Sequence, residues 1–401
     1  MRRPRPRNLG IVCACLILLA AGVVTGVRWA QDKGPLTLLA NWSGEEEKQF
    51  KDVLERFKDD HGIEVVYQGS SALSQVLAAG IASGSPPDVA VVPGPGELMT
   101  YADEGRLHPL GALFEAGRYD EFWAPEVTPQ EGRKSRYWLP VKAGLKSMVW
   151  HSKSNEEKVA EFARTPGKWC LAMESGATSG WPGTDWVEDI LLQQAGPKTY
   201  GDWATGKLDW RKGHVRKAWQ TWGEMVGADD QDSMEKGLKA DYTKTCSPQL
   251  LEHQGSFRAT DWKKADGDFV HSAEVIPEAR KAAKSWEASG DLAVMLNKSE
   301  EAEQLIRYLA SPETELPEYT VNTGASPPID TKTVKGRVAS TLRGLDGTLC
   351  WDASDAMPRA LRDAFQQAVL RYLIAPKTLD AELAALERLR VDQGTTLPVC
   401  S

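Results

Sequence analysis

The sequence predicts an α/β fold built on a parallel sheet, and three observations lead there. Apolar strand-like runs alternate with amphipathic helical segments from residue 36 to 92, the pattern of β-α-β units with helices on the faces of a sheet. The chain has 401 residues, more than one ordinary domain needs. Yet no repeat, low-complexity tract or long linker divides it. Two lobes whose chain crosses back and forth between them would have this texture.

The elements follow in order. LTLLA (36–40) reads as a buried strand. Ser43 and Glu46 have capping-box spacing, and Phe50, Val53, Leu54 and Phe57 then share one helical face. His61-Gly62 ends that helix, and IEVVY (63–67) is a second strand. Leu73, Val76, Leu77 and Ile81 mark a second helix, closed by GSPP (84–87) before the strand DVAVV (88–92). Ligands of such sheets sit beyond the carboxyl ends of the strands. Trp42 and the turn PGPGE (93–97) stand there. Residues 150–290 read as helices and loops rich in Trp, Gly and Lys, including a helix bearing Val187, Ile190 and Leu191 that Thr184 should cap. LAVML (292–296) is an apolar return. Ser299 should cap a helix with Leu305, Ile306 and Leu309. The tail reads as a helix over 359–374, then one capped by Thr378 with Leu379, Leu383, Leu386 and Leu389.

The N-terminus is a membrane signal. Arg2, Arg3, Arg5 and Arg7 precede the uncharged run 9–27, which at 1.5 Å per residue nearly spans a hydrocarbon core of ~30 Å. Basic residues before the span place residues 1–8 in the cytoplasm and the bulk outside. Val24-Thr25-Gly26 is only a fair cleavage site, so an uncleaved cell-membrane anchor is expected, with secretion as the outcome if it is cut. The net charge of −8 argues against nucleic acid as a partner.

Outside the cell, Cys170, Cys246, Cys350 and Cys400 remain, an even set in an oxidising compartment. Sequence alone does not choose among the possible pairings; the nearest-neighbour one, Cys170–Cys246 and Cys350–Cys400, is the expectation. A metal site is not expected, because there is no C-x-x-C or H-x-x-x-H and the histidines are scattered. No G-x-S-x-G, Walker or G-x-G-x-x-G sequence is present, and no cofactor is implied. Asp185, Glu188 and Asp189 gather at a helix start, where the dipole favours acids without any catalysis.

The densest unusual segment is ESGATSGWPGTDWVED (174–189). Small residues allow close backbone approach, Trp181 and Trp186 flank a turn fixed by Pro182, and short polar side chains surround them. Sugars, with apolar faces and hydroxyl rims, suit an aromatic plate edged by such groups. The alternative is a tight turn with core tryptophans. The 15 Trp against 9 Tyr and 8 Phe carry the same two readings.

The chain resembles the extracellular solute-binding proteins of family 1, the receptor subunits of carbohydrate ABC importers, and is most similar to the branch that binds α-glucosides. The residues that carry this are LTLLANWSGEEEKQFKDVLERF (36–57), SGSPPDVAVVPGPG (83–96), WLPVKAGLKSMVW (138–150), WCLAMESGATSGWPGTDWVEDILL (169–192), LEHQGSF (251–257), SWEASGDLAVML (285–296) and CWDASDAMP (350–358). The resemblance implies the two-lobe periplasmic-binding-protein fold, with a hinge and sugar held in the inter-lobe cleft. Lobe 1 would be 35–145 plus about 290–330, and lobe 2 146–289 plus about 331–401. Carried over onto matching positions, the sugar contacts would be Trp42, Glu46, Lys142, Gly180, Trp181, Asp185 and Gln254. The partners implied are a sugar and the ABC permease, with the receptor a monomer and no enzyme. A sugar sensor uncoupled from transport and a glycan hydrolase are the rival readings. Two stretches, 261–284 and 359–373, depart from the family's pattern, and the lipid-anchoring cysteine of many relatives is missing.

Overall fold

Leu36–Ala40 is apolar on both faces and forms β1, which lies between β2 (Val65–Gly69) and β3 (Val89–Pro93), parallel to both. This is the expected β-α-β-α-β start, with the second strand two residues later than predicted. The helices Gly44–His61 and Leu73–Ser83 make the crossovers. The computed structural model describes residues 34–401 apart from 43, 131, 245, 281–283, 317–318, 326–328, 345, 391–396 and 398. The basic start, the apolar run 9–27 and the capping residue Ser43 therefore lie outside the described residues. No helix among the described residues is long and apolar enough to cross a membrane.

Beyond β3 the sheet changes direction. β4 (Leu139–Leu145) is followed after two residues by β5 (Met148–Ser152), which belongs to a different sheet. β5 is the centre of a three-stranded antiparallel sheet, flanked by β6 (Glu252–His253) and β7 (Gly267–His271). The long β8 (Ser285–Met295) returns to the first sheet, antiparallel to β3 and β4, and its first residues pair in parallel with β9 (Thr348–Trp351). LAVML is thus the end of an eleven-residue strand. The link Lys146-Ser147 and β8 are the places where the chain passes from one sheet to the other.

The middle of the chain is helical, as read, but one helix starts earlier than expected. Helix Trp181–Ala195 begins at Gly180, whose φ of 102° is open to glycine, with Pro182 in the first turn. Thr184 is an interior residue and its hydroxyl donates to the Trp181 carbonyl. Ser299 caps its helix as expected, accepting from the Ala302 amide. Thr378 accepts nothing from its helix; its hydroxyl donates to Ala375.

Among the described residues, every tryptophan but Trp181 is buried. Trp203, Trp210, Trp219 and Trp222 pack with Phe365 and Tyr372 into one aromatic core. The tryptophan bias is therefore mostly interior packing. Both expected disulfides are present: Cys170–Cys246 with Cα atoms 6.1 Å apart and Cys350–Cys400 with Cα atoms 4.0 Å apart. The second ties β9 to the C-terminal end. Replacing either pair by serine should lower stability by ~4 kcal/mol, the chain-entropy value for loops of this size. Denaturant unfolding of the two double variants checks this; unchanged midpoints would show that the bridges constrain little.

Candidate functional site

The carboxyl ends of β1, β3 and β4 open onto a cavity of about 390 Å³. Asn41 and Trp42 enter it from β1, Pro93 from β3, and Lys142 to Leu145 from β4. Its other walls come from the 174–181 segment, the 241–243 and 255–257 loops, and the residues after β9. The first sheet thus contributes strand residues and the second only the segments next to it, Lys146 and 255–257, and the site lies where a parallel sheet presents ligands.

One wall is aromatic. Trp181 meets Tyr242 edge-on at 5.1 Å between ring centroids, and Phe257 lies 6.3 Å from each of them. The Trp181 indole donates to Ser175 Oγ at 3.1 Å, which fixes its plane, and the Lys146 ammonium sits 5.2 Å from its ring centre. The small residues of 175–178 fall back beside the ring, so one half-buried indole can meet a ligand face. Gly176 and Ala177 line the cavity with it.

Another part of the lining is polar. Trp42 is 4% exposed and packs edge-on against Phe50, while its indole donates to Asp291 Oδ2 at 3.1 Å. Glu46 and Lys142 form an ion pair across the mouth. The register of β4 slips between Pro140 and Lys142, a bulge that sets Lys142 opposite Asp291.

The floor is a buried charge cluster. Lys146 donates to Asp185 Oδ1 at 3.0 Å and to Asp352 Oδ2. Asp352 also accepts from Ser354 Oγ and the Asp355 amide, and its carboxyl is held down at about 2 despite burial, chiefly by Lys146. Burial pushes Asp185 up to about 8 and Asp355 up to about 7, the latter with help from Asp352. Glu188 and Glu287 are pushed well above the usual carboxylate range by burial and the neighbouring acids. Beside this cluster Arg362 pairs with Glu97 at 3.2 Å, joining the helix Arg359–Ile374 to the turn after β3.

Of the seven residues that the resemblance implied, Trp42, Glu46, Lys142 and Trp181 line the cavity. Gly180, Asp185 and Gln254 do not. A side chain at Gly180 would meet the Gln366 carbonyl at 2.2 Å, so this glycine serves helix packing. Asp185 lies one turn into its helix, 2% exposed, with Lys146 at its carboxylate. Gln254 is 4% exposed and its Oε1 accepts from the Gly255 amide. Sequence reasoning missed Lys146, Tyr242, Phe257, Asp291, Asp352, Asp355 and Arg362. All but Tyr242 and Arg362 lie inside the motifs quoted above, so position was legible there but role was not. Of the two departing stretches, 359–373 reaches the cavity through Arg362, Asp363 and Gln366, whereas no described residue of 261–284 lines it.

A family model described as bacterial extracellular solute-binding protein matches residues 41–315. The chain belongs to this family. Among curated relatives, the solute-binding protein resembles the osmoprotective compounds-binding protein GgtB of Synechocystis sp., 29% identical over 386 residues, which are 86% of this chain and 90% of the relative. It also resembles the alpha-glucosides-binding periplasmic protein AglE of Rhizobium meliloti, 28% identical over 320 residues, 69% of this chain and 68% of that one. The fold of this solute-binding protein matches the bacterial solute receptor AcbH with a TM-score of 0.66 at 15% identity, covering 88% of this chain and 98% of AcbH. RafE in complex with raffinose matches with a TM-score of 0.64 at 13% identity, over 90% and 99% of the two chains.

Proposed function

We propose that this chain is the receptor subunit of a carbohydrate ABC importer, capturing a sugar or oligosaccharide between two lobes and delivering it to a permease without chemical turnover. The observation that carries this is Trp181, half-buried among aromatic rings in a cavity also lined by acids and hydroxyls. Apolar plate and polar rim together match the two kinds of surface a sugar presents. The relative named for α-glucosides makes that class the first ligand to try. Lobe 1 in this reading is 35–145 plus about 290–330, and lobe 2 is 146–289 plus about 331–401. Lining residues drawn from both support it, because a ligand touching both lobes favours the closed form. The receptor acts as a monomer, tethered to the cell membrane by residues 9–27 with its bulk outside.

A melting screen of the purified protein against mono- and oligosaccharides tests the ligand class. A true ligand at a hundred times its Kd should add about 2.7 kcal/mol of stability. No response to any sugar would overturn the reading, and release of monosaccharide from a bound glucoside would overturn the absence of turnover. The tether makes a separate prediction. Cell fractionation should find the full-length chain in membranes, and a soluble form starting near residue 27 or 31 would refute the anchor.

A further inference from the structure

At the cavity floor, three elements bring acids together. Asp185 comes from the helix Trp181–Ala195, Glu287 from β8 and Asp352 from the residue after β9. Each offers one oxygen, and these oxygens lie within 4.8 Å of one another. All three residues are at most 2% exposed. Lys146 reaches Asp185 Oδ1 and Asp352 Oδ2, which leaves part of the cluster unmet. Glu287 is fully buried, and neither of its oxygens has a hydrogen-bond partner. Asp185 Oδ2 has none, and neither has Oε1 of Glu188, a fourth buried acid set against Asp352.

Buried carboxylates persist when they are paired, hydrogen-bonded or bound to metal. Protonation would remove the charge from Glu287 and make one oxygen a donor, but neither oxygen meets a hydrogen-bond partner of either kind. A cation among the three carboxylates meets both needs at once. We propose that Asp185, Glu287 and Asp352 form a site for a hard divalent cation of the calcium class, with Glu188 at its edge. The ligand set is oxygen alone, with no histidine or thiolate, which disfavours zinc and copper. Several carboxylates, one of them free at both oxygens, suit the larger and more flexible shell of calcium, whereas magnesium keeps most of its waters. The site borders the sugar cavity: Asp352 and Lys146 line that cavity, whereas Asp185 and Glu287 do not. Bound there, the ion would hold together the helix, β8 and the turn after β9. The proposal does not depend on the sugar reading.

Full-length protein treated with EDTA and desalted is titrated calorimetrically with calcium chloride, with magnesium and manganese chlorides in parallel, and melted with and without each ion. The expected result is about one calcium per chain and a melting point a few degrees higher at saturation. Glu287→Gln should weaken calcium binding at least about tenfold, the effect of losing a charged ligand. Glu188→Gln, a milder change at the edge, should weaken it less and covers the case in which the first variant does not fold. Asp209→Asn, a carboxylate paired with Arg211 on the surface, should leave it unchanged. No heat and no melting shift at millimolar concentration of any of the three ions would overturn the site. So would calcium binding that is undiminished in both glutamate variants.

Discussion

Trp181→Ala should weaken sugar binding by about tenfold to a hundredfold while leaving the melting point nearly unchanged. An indole stacked on a sugar buries apolar area worth ~25 cal/mol per Å², and aromatic geometry adds about 1 kcal/mol. Together these give about 1.5–3 kcal/mol, which converts to that range of affinity. The fold should tolerate the loss because Trp181 fills no core. It is the one described tryptophan that is not buried, and its lost contacts are edges of Tyr242 and Phe257, a bond to Ser175 and the Lys146 ammonium near its ring. Trp219→Ala makes the contrast. Trp219 is fully buried against Phe365 and Tyr372, and its removal should cost ~3–5 kcal/mol of stability with little direct effect on the cavity. Calorimetric titration and melting of both variants separate the two roles. Unchanged affinity in a folded Trp181→Ala protein would remove the aromatic wall from the binding site.

What the sequence made legible follows from periodicity. β1, β3 and their helices were readable because their apolar residues repeat at strand or helix spacing and Gly or Pro closes all of them but β1. The small sheet was not, because β6 is two residues long and β7 carries Gly267 and Asp268 in place of an alternating pattern. The start of helix Trp181–Ala195 was misread because Thr184 has the chemistry of a cap, whereas tertiary packing lets the helix begin at a glycine. In the candidate site, depth was what the sequence did not show: Asp185 and Gln254 are buried away from the cavity. Asp185, Glu188, Asp189 and Gln193 fall on one helical face, and a polar face normally means solvent. Here it is buried, because Lys146, Ser147 and His253 arrive from distant segments to meet it: Asp189 alone accepts from Ser147 at 2.7 Å and lies 2.8 Å from His253 Nε2. Local sequence carries no mark of such partners.

Lys146→Met should be the most destabilising single change at the floor, costing about 3–5 kcal/mol, because it strips the ammonium from a buried pair and leaves the acids behind. Lys146 holds Asp185 and Asp352 together, and its own side chain is 12% exposed against 3% and 1% for theirs. Asp352 cannot turn away to water, since its other oxygen is fixed by Ser354 Oγ at 2.8 Å and the Asp355 amide at 3.0 Å. Methionine fills nearly the same volume, so the loss reports charge more than packing. The diagnostic comparison is the double variant Lys146→Met with Asp352→Asn. Asparagine keeps an acceptor for Ser354 and the Asp355 amide but carries no charge, so the double variant should regain more than half of the stability lost. Denaturant unfolding of the wild type, both single variants and the double variant, all in EDTA, completes the cycle and isolates the pair from any bound cation. Additive losses in the double variant would mean that the ammonium and Asp352 do not stabilise each other. The cluster would then be held by its hydrogen bonds, with Lys146 serving chiefly the cavity side, where its ammonium lies beside the Trp181 ring.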